Sequence, residues 1–406
     1  MLRPHHSLMP SCQDHDGIGD GAHPGYAGPV SHPLTVRGAL LRATGLPRPY
    51  AASRPLEIVD LELPHPGPGE VLVDVGAASL CRSDLSVVTG ARVWPLPMVL
   101  GHEASGTVAE VGSSVTRLAP GDDVVLAYLP QCEQCPRCRS GEPWLCATGA
   151  AANQRGELIT GGTRLSYRGE PIHHHMGLAA FAERVLVAEA SAVKIPQGLA
   201  AGTTCVFGCA VLCGAGTAAN TAGVSAGDSV AIIGLGAVGL SALLGARSAG
   251  AATVVAIDRL DAKLPKATSL GATDVLTAGD DTQAAVLERT EGGVDHAIEA
   301  SGTLEGFELA LSLVRRGGTV TTLGLPGPGV AHELQLAPLV AGGIAVQGSY
   351  LGSCDIQRDI PRFVGLHQDG RFPAEALVSH TIALDDINEA LDRLADGAAL
   401  RQVIEF

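Results

Sequence analysis

Cys132, Cys135, Cys138 and Cys146 lie inside QCEQCPRCRSGEPWLC, three thiols spaced three residues apart and a fourth eight residues on. Four sulfur donors so arranged can close around one tetrahedral ion. Zinc suits them, and a full sulfur cage leaves no open coordination position, so this site reads as structural. Disulfides fit less well, because cysteines this close bridge poorly and three in series cannot all pair. A second donor set lies in pieces: CRSD at 81–84, GHE at 101–103 and the pair Gly208–Cys209. Cys81, His102 and Cys209 make a Cys₂His set, three protein ligands with a fourth position left for water or substrate, which is the composition of a catalytic zinc. Asp84 is a candidate to hold the far nitrogen of His102, and Glu103 to approach the ion transiently during ligand exchange. Alone, His102 reads equally as a satisfied core histidine and Cys209 as a small core residue. Their combination carries the argument.

A cofactor signal follows. In SVAIIGLGAVGLSALLGARSAGAATVVAID, Gly234, Gly236 and Gly239 come directly after an expected strand and open an expected helix. Gly234 permits the turn, Gly236 lets the backbone approach a pyrophosphate, and Gly239 lets helix and strand pack closely. The helix N-terminus offers unpaired N–H groups to phosphate. Asp258, nineteen residues after the third glycine, is placed to accept from the ribose hydroxyls and to repel a 2′-phosphate. NAD is therefore expected over NADP, a preference tempered by the neighbouring Arg259.

These groups must be positioned by a chain of 406 residues, enough for two domains and a buried core. With 46% hydrophobic and 17% charged residues it reads as globular, and 52 glycines against 3% aromatics suit tight strand–helix packing. The net charge of −15 argues against nucleic acid as a partner. No apolar run reaches transmembrane length, and the N-terminus lacks the order of a signal peptide. Ten cysteines clustered at metal spacing point to a reducing, cytoplasmic setting.

Residues 1–34 are rich in His, Gly, Pro and Asp and read as a disordered tail. Short alternating runs follow (LEIVDLEL, VLVDVGAASL, GTVAEVG, DDVVLAYL), punctuated by PGPGE and PGDD, as in a small β-rich domain. From about residue 225 the pattern changes to apolar β-branched runs (SVAIIGLG, TVVAID, HAIEA, GGTVTTLG) separated by helical stretches, the pattern of parallel strands with crossover helices. The chain ends in LRQVIEF, which is expected to rejoin the first domain.

CRSD, GHE, the four-cysteine lobe, the GC pair and GLGAVG, in this order from about residue 36 onward, resemble the zinc-dependent alcohol dehydrogenases of the medium-chain dehydrogenase/reductase superfamily. The resemblance implies an α/β fold: a GroES-like β-rich catalytic domain over 35–210 and 355–406, carrying the zinc lobe at 130–148, and a Rossmann-fold doubly wound parallel sheet over 211–354. It implies two Zn²⁺ per chain, with Cys81, His102 and Cys209 on the catalytic ion and Cys132, Cys135, Cys138 and Cys146 on the structural one. Arg82 and Arg401 resemble arginines that meet the NAD(H) pyrophosphate, Lys263 a lysine on the adenosine ribose, and Ser83 the hydroxyl that takes the substrate proton.

The implied reaction is hydride transfer between a small-molecule alcohol, or the matching aldehyde or ketone, and NAD(H). Two rivals stand beside it. A thiol-dependent formaldehyde dehydrogenase would act on an S-hydroxymethyl thiol, but Ala150 falls where that branch carries an arginine and Arg92 where it carries an acid. A non-catalytic NAD-binding regulator would hold one zinc. Trp94 and Tyr128 align with pocket walls, though Trp94 also reads as core. His175, in IHHHMG, falls at a wall position and reads either as a polar loop residue or as a pocket group. Ser86 stands where many relatives carry a relay histidine, so the proton would leave Ser83 through the cofactor ribose and water, or through His175. Cys12, Cys205, Cys213 and Cys354 have no assigned role. The long 147–175 loop resembles that of the dimeric branch and implies a homodimer.

Overall fold

Alternating apolar residues in Glu70–Leu80 decide the architecture of the β-rich part. The computed structural model describes residues 32–327, 329–397 and 399–406; the tail expected over 1–34 lies outside the described residues apart from its last three, as does Cys12. In Glu70–Leu80 successive side chains point to opposite faces. Val71, Val73 and Val75 enter one core with Val108, Val124 and Phe181, while Leu72 enters another with Val36, Leu40 and Leu61. The strand is thus buried on both faces. It pairs antiparallel with Glu103–Val111, Arg184–Ala188 and the C-terminal Arg401–Glu405. Around Leu34–Leu41, five strands close into a small barrel that also takes in Leu56–Leu63, Leu165–Tyr167, Glu170–His174 and Met98–Val99.

The chain terminus returns as the residues of LRQVIEF suggest. Gln402, Val403 and Ile404 pair with Leu80, Ser79 and Ala78, so Arg401 arrives beside Cys81, the residue that follows that strand.

Six parallel strands form the second sheet: Ser229–Ile233, Thr253–Asp258, Asp274–Thr277, Val294–Glu299, Val314–Thr322 and Ala345–Gly348. Counted from Ser229–Ile233, their spatial order is 3-2-1-4-5-6, the doubly wound order whose reversal beside the first strand makes a crevice for a dinucleotide. The helix Ala237–Ser248 follows the first strand at once. On the outer edge Ala345–Gly348 has one partner among the described residues, Val314–Thr322, and the neighbouring helix Leu336–Gly342 buries none of its residues.

The stretch 147–175 is more ordered than a loop. It holds the helix Ala147–Arg155 and the strands Leu165–Tyr167 and Glu170–His174. That helix is capped by a thiol: Cys146 Sγ accepts from Gly149 N at 3.3 Å, doing the work usually given to Ser, Thr or Asp.

Candidate active site

The four lobe cysteines converge, with one sulfur from each within 4.8 Å of the others. Pro136 opens the short helix Pro136–Arg139, which carries Cys138. Backbone N–H groups point at the sulfurs: Cys135 N to Cys132 Sγ at 3.3 Å and Cys132 N to Cys146 Sγ at 3.4 Å. Such donors stabilise a thiolate. At Cys132 burial pushes the thiol up, but hydrogen bonds from Thr148 and from backbone amides outweigh it and bring the pKa to about 6. A convergent sulfur set surrounded by N–H donors fits a closed tetrahedral ion.

The second cluster is built around one buried carboxylate. Cys81 caps the helix Arg82–Val88, and Asp84, at the third position of that helix, accepts from Cys81 N at 2.9 Å in a capping box. Its other oxygen lies 3.0 Å from His102 Nδ1 and accepts from Gly101 N at 3.3 Å. Asp84 therefore closes a helix end and fixes the imidazole with its Nε2 free to ligate. Burial alone would raise the Asp84 pKa; the attraction and hydrogen bonds of His102 and then His175 outweigh it and hold the carboxyl well below the usual range.

Donor atoms of Cys81, His102, Glu103 and Cys209 all lie within 4.8 Å of one another, and all four residues are buried. Two thiols and an imidazole with a carboxylate behind them fit a zinc ion with one open position. Glu103 accepts from Ala210 N at 3.2 Å and faces Arg401 at 3.1 Å. Burial raises its pKa to about 7 against the pull of Arg401. Arg401 is 4% exposed, and its guanidinium lies on Glu103 and 3.9 Å from Cys209 Sγ. The sequence reading sends this arginine to the cofactor pyrophosphate; in this structure its partners stand behind the metal donors.

His175 is no polar loop residue. It is fully buried, with Nδ1 3.2 Å from Asp84 and its ring edge-on to both His102 (5.2 Å) and Trp94 (5.3 Å). Burial lowers its pKa despite the pull of Asp84, and neither ring nitrogen has an aligned hydrogen-bond partner among the described residues. On the other side of His102, the ring of Tyr128 stands 5.8 Å away, and Tyr350 stands 6.1 Å from Tyr128. Trp94, His175, His102, Tyr128 and Tyr350 thus form a continuous arc of T-shaped contacts. Ser83 is half-buried one residue beyond Arg82, which is exposed. Ser86 donates to Ser83 O at 2.6 Å, so its hydroxyl is satisfied by the turn it sits in.

The glycine turn behaves as its spacing suggests. Gly234 has φ +93° and its missing Cβ would meet Ser301 N at 2.8 Å; a Cβ on Gly239 would strike Gly234 O at 1.8 Å; one on Gly236 would point into open space at the mouth of the helix Ala237–Ser248. That space, at a helix N-terminus, fits a pyrophosphate. Asp258 ends the neighbouring strand, accepts from Leu235 N at 2.7 Å and Leu260 N at 3.0 Å, and lies 3.4 Å from Lys263 Nζ.

Residues 67–197 match the family model of the alcohol dehydrogenase GroES-like domain, and residues 237–368 that of the zinc-binding dehydrogenases. An S-(hydroxymethyl)glutathione dehydrogenase of Escherichia coli O1:K1 is 37% identical over 362 residues, covering 88% of this chain and 98% of that protein. The chain belongs to the zinc-dependent alcohol dehydrogenases of the medium-chain dehydrogenase/reductase superfamily. Among solved structures, an alcohol dehydrogenase zinc-binding domain protein from Burkholderia ambifaria is similar at 35% identity and TM-score 0.87, covering 92% of this chain and 99% of that one. The benzyl alcohol dehydrogenase of Acinetobacter calcoaceticus is similar at 32% identity and TM-score 0.85 with the same coverage.

This alcohol dehydrogenase is accordingly an NAD-dependent zinc oxidoreductase acting on CH–OH groups, with the GroES-like and Rossmann parts that its motifs suggest. Two residues at its site escape the sequence reading. Tyr350 lies in GSYLG beyond the last parallel strand, with no spacing that ties it to Tyr128. Cys213 sits one helical turn past Cys209, 3.7 Å from the Tyr128 hydroxyl. Its spacing from Cys209 is a usable signal, because residues four apart on a helix share a face.

Proposed function

We propose that this enzyme oxidises primary alcohols whose carbinol carbon is attached to an aromatic ring, with NAD⁺ as the hydride acceptor. The observation that carries the substrate class is the aromatic arc. Aromatic residues are only 3% of the chain, yet Trp94, Tyr128 and Tyr350 gather around His102 and His175. Edge-to-face contacts of this kind favour an aryl ring by about 0.5–1.5 kcal/mol each beyond area burial. The 32% identical benzyl alcohol dehydrogenase supports the same class.

In this reading Cys81, His102 and Cys209 hold the catalytic ion, Glu103 is its transient ligand, and Cys132, Cys135, Cys138 and Cys146 hold the structural one. When bound, the catalytic ion supplies Lewis acidity that eases loss of the alcohol proton, and the nicotinamide accepts hydride. Asp84 keeps the His102 tautomer with Nε2 free. Ser83 takes the hydroxyl proton. The turn Gly234–Gly239 seats the pyrophosphate, aided by Arg82, while Arg401 holds Glu103 behind the metal donors. Asp258 and Lys263 meet the ribose, and Asp258 disfavours a 2′-phosphate. Trp94, Tyr128 and His175 shape the pocket.

A second reading, oxidation of an S-hydroxymethyl thiol, is favoured by the 37% identical relative. Against it, Ala150 offers no charge to a thiol's carboxylate. Initial rates of NAD⁺ reduction with benzyl alcohol, ethanol, 2-propanol and S-hydroxymethylglutathione test both, with NADP⁺ as a parallel acceptor. The proposal expects the highest kcat/KM for benzyl alcohol with NAD⁺; a preference for the thiol adduct would replace it with the second reading.

We also propose a homodimer. The strand Ala345–Gly348 at the sheet edge exposes Val346, and the helix beside it exposes Leu336 (67%) and Val340 (77%). An unpaired edge next to apolar side chains is the kind of surface a two-fold partner covers.

A further inference from the structure

Among the described residues His175 is the one histidine whose two ring nitrogens are both buried and without an aligned partner. Its neighbour His174 is as deeply buried, yet His174 Nε2 accepts from Arg164 N at 3.0 Å. The backbone holds His175 in place. Its carbonyl accepts from Leu178 N at 3.1 Å and Ala179 N at 3.3 Å, closing a turn after the strand Glu170–His174. Its Nδ1 lies 3.2 Å from Asp84 Oδ1. A carboxylate at that distance attracts an N–H and repels a lone pair, so the neutral ring carries its proton on Nδ1. Nε2 is then a bare acceptor, directed away from Asp84. A buried acceptor with no donor is destabilising, and such a group marks a place that an O–H or N–H completes. The ring stands edge-on to His102 at 5.2 Å and to Trp94 at 5.3 Å, between the metal donors and the aromatic wall.

We propose that His175 determines substrate choice: its Nε2 accepts from a hydroxyl on the aryl ring, so the preferred substrates are hydroxybenzyl alcohols with that hydroxyl near the carbinol. This rests on the aryl-alcohol reading above and narrows it. The position of the hydroxyl follows from the neighbours of His175. His102 belongs to the donor set assigned to the carbinol oxygen, and its ring touches that of His175. A hydroxyl ortho or meta to the carbinol stays close to both, whereas a para hydroxyl is carried to the opposite end of the ring. Donation decides, rather than size: fluorine has similar bulk and no proton to give. The other polar groups of the arc are placed for different work. Trp94 can only donate, the Tyr128 hydroxyl faces Cys213 Sγ at 3.7 Å, and Tyr350 is 41% exposed.

The test measures kcat and KM at saturating NAD⁺ for benzyl alcohol and for its ortho, meta and para hydroxy and fluoro derivatives. The enzymes are the parent, His175→Phe, His175→Leu and His175→Gln, each first shown to hold the parent's zinc content. The parent should favour the ortho or the meta hydroxy compound over its fluoro counterpart by about tenfold in kcat/KM. The difference should lie mainly in KM and be smaller between the para isomers. A hydroxy-to-fluoro ratio cancels any general change in turnover. It should fall about tenfold in His175→Phe and His175→Leu, and recover in part in His175→Gln, whose Oε1 is again an acceptor. Three results would overturn the inference and leave the aryl-alcohol reading intact: a parent ratio of about one at every position, a preference confined to the para isomer, or a ratio that survives in both His175→Phe and His175→Leu. An enzyme that oxidises ethanol and none of these aryl alcohols would overturn both.

Discussion

Asp84 shows how much one side chain can position. It caps a helix through Cys81 N, orients His102 and faces His175. The sequence makes its tie to His102 legible, because CRSD and GHE each place an acid near a metal donor. It does not reveal the second histidine, since His175 reaches Asp84 from a segment about ninety residues away that reads locally as a polar run. Burial holds His175 neutral, and its ring packs against Trp94. A phenyl ring is flat like imidazole and only modestly larger, and can keep the edge-on contact with Trp94, so His175→Phe should fold and turn over. It should change the kcat/KM ratio of benzyl alcohol to a hydroxyl-bearing benzylic analogue by about tenfold, the scale of one neutral hydrogen bond. The pH profile of kcat should stay unchanged. A profile that loses a neutral ionisation while substrate preference holds would make His175 the proton exit instead.

Elements differ in what holds them. The lobe at 130–148 has short helices of three and four residues, too short to persist without tertiary support, and its convergent sulfurs supply that support once an ion is bound. Cys135→Ser should therefore lower thermal stability and zinc content together, with a loss of several kcal/mol from a site whose binding energy is on the order of 10 kcal/mol; a Tm within a degree of the parent would contradict a structural role. The parallel sheet relies on half-buried polar ties instead. Asp295 accepts from Ser229 N at 2.8 Å and Ser229 Oγ at 2.6 Å, and from Arg315 Nε at 2.7 Å. Burial opposes its ionisation, but the Ser229 bonds and Arg315 prevail and bring its pKa to about 2 from 3.8. A folded-state value below the unfolded one means stability that is present above about pH 4 and is lost as pH falls toward 2, on the order of 2 kcal/mol. Asp295→Asn should flatten that part of the Tm–pH curve relative to the parent; parallel curves would deny the carboxylate this role. The strands were legible here because β-branched runs alternate with glycine turns. The helix Ala147–Arg155 was not, because its cap is a cysteine that also belongs to the metal lobe.

Over the whole molecule, the C-terminal strand ties the two ends of the β-rich part together and delivers Arg401 to Glu103. LRQVIEF announced a returning strand by composition; no spacing could announce which carboxylate its arginine would meet, since that depends on a register set three hundred residues away. The free sheet edge makes a separate claim. Light scattering should give twice the mass of the 41.3 kDa chain, and Val340→Glu, which puts a charge on the exposed apolar helix, should shift the enzyme toward monomer. A tetramer, or a dimer indifferent to that charge, would place the interface elsewhere.

The central claim is that two separate donor sets hold two zinc ions with different tasks, and metal analysis of Cys209→Ser beside the parent tests it most directly. The parent should carry two zinc ions per chain and reduce NAD⁺ with benzyl alcohol. The variant should keep its fold and one zinc, and lose activity by at least about a hundredfold. A variant that retains both zinc ions and full turnover would contradict the assignment.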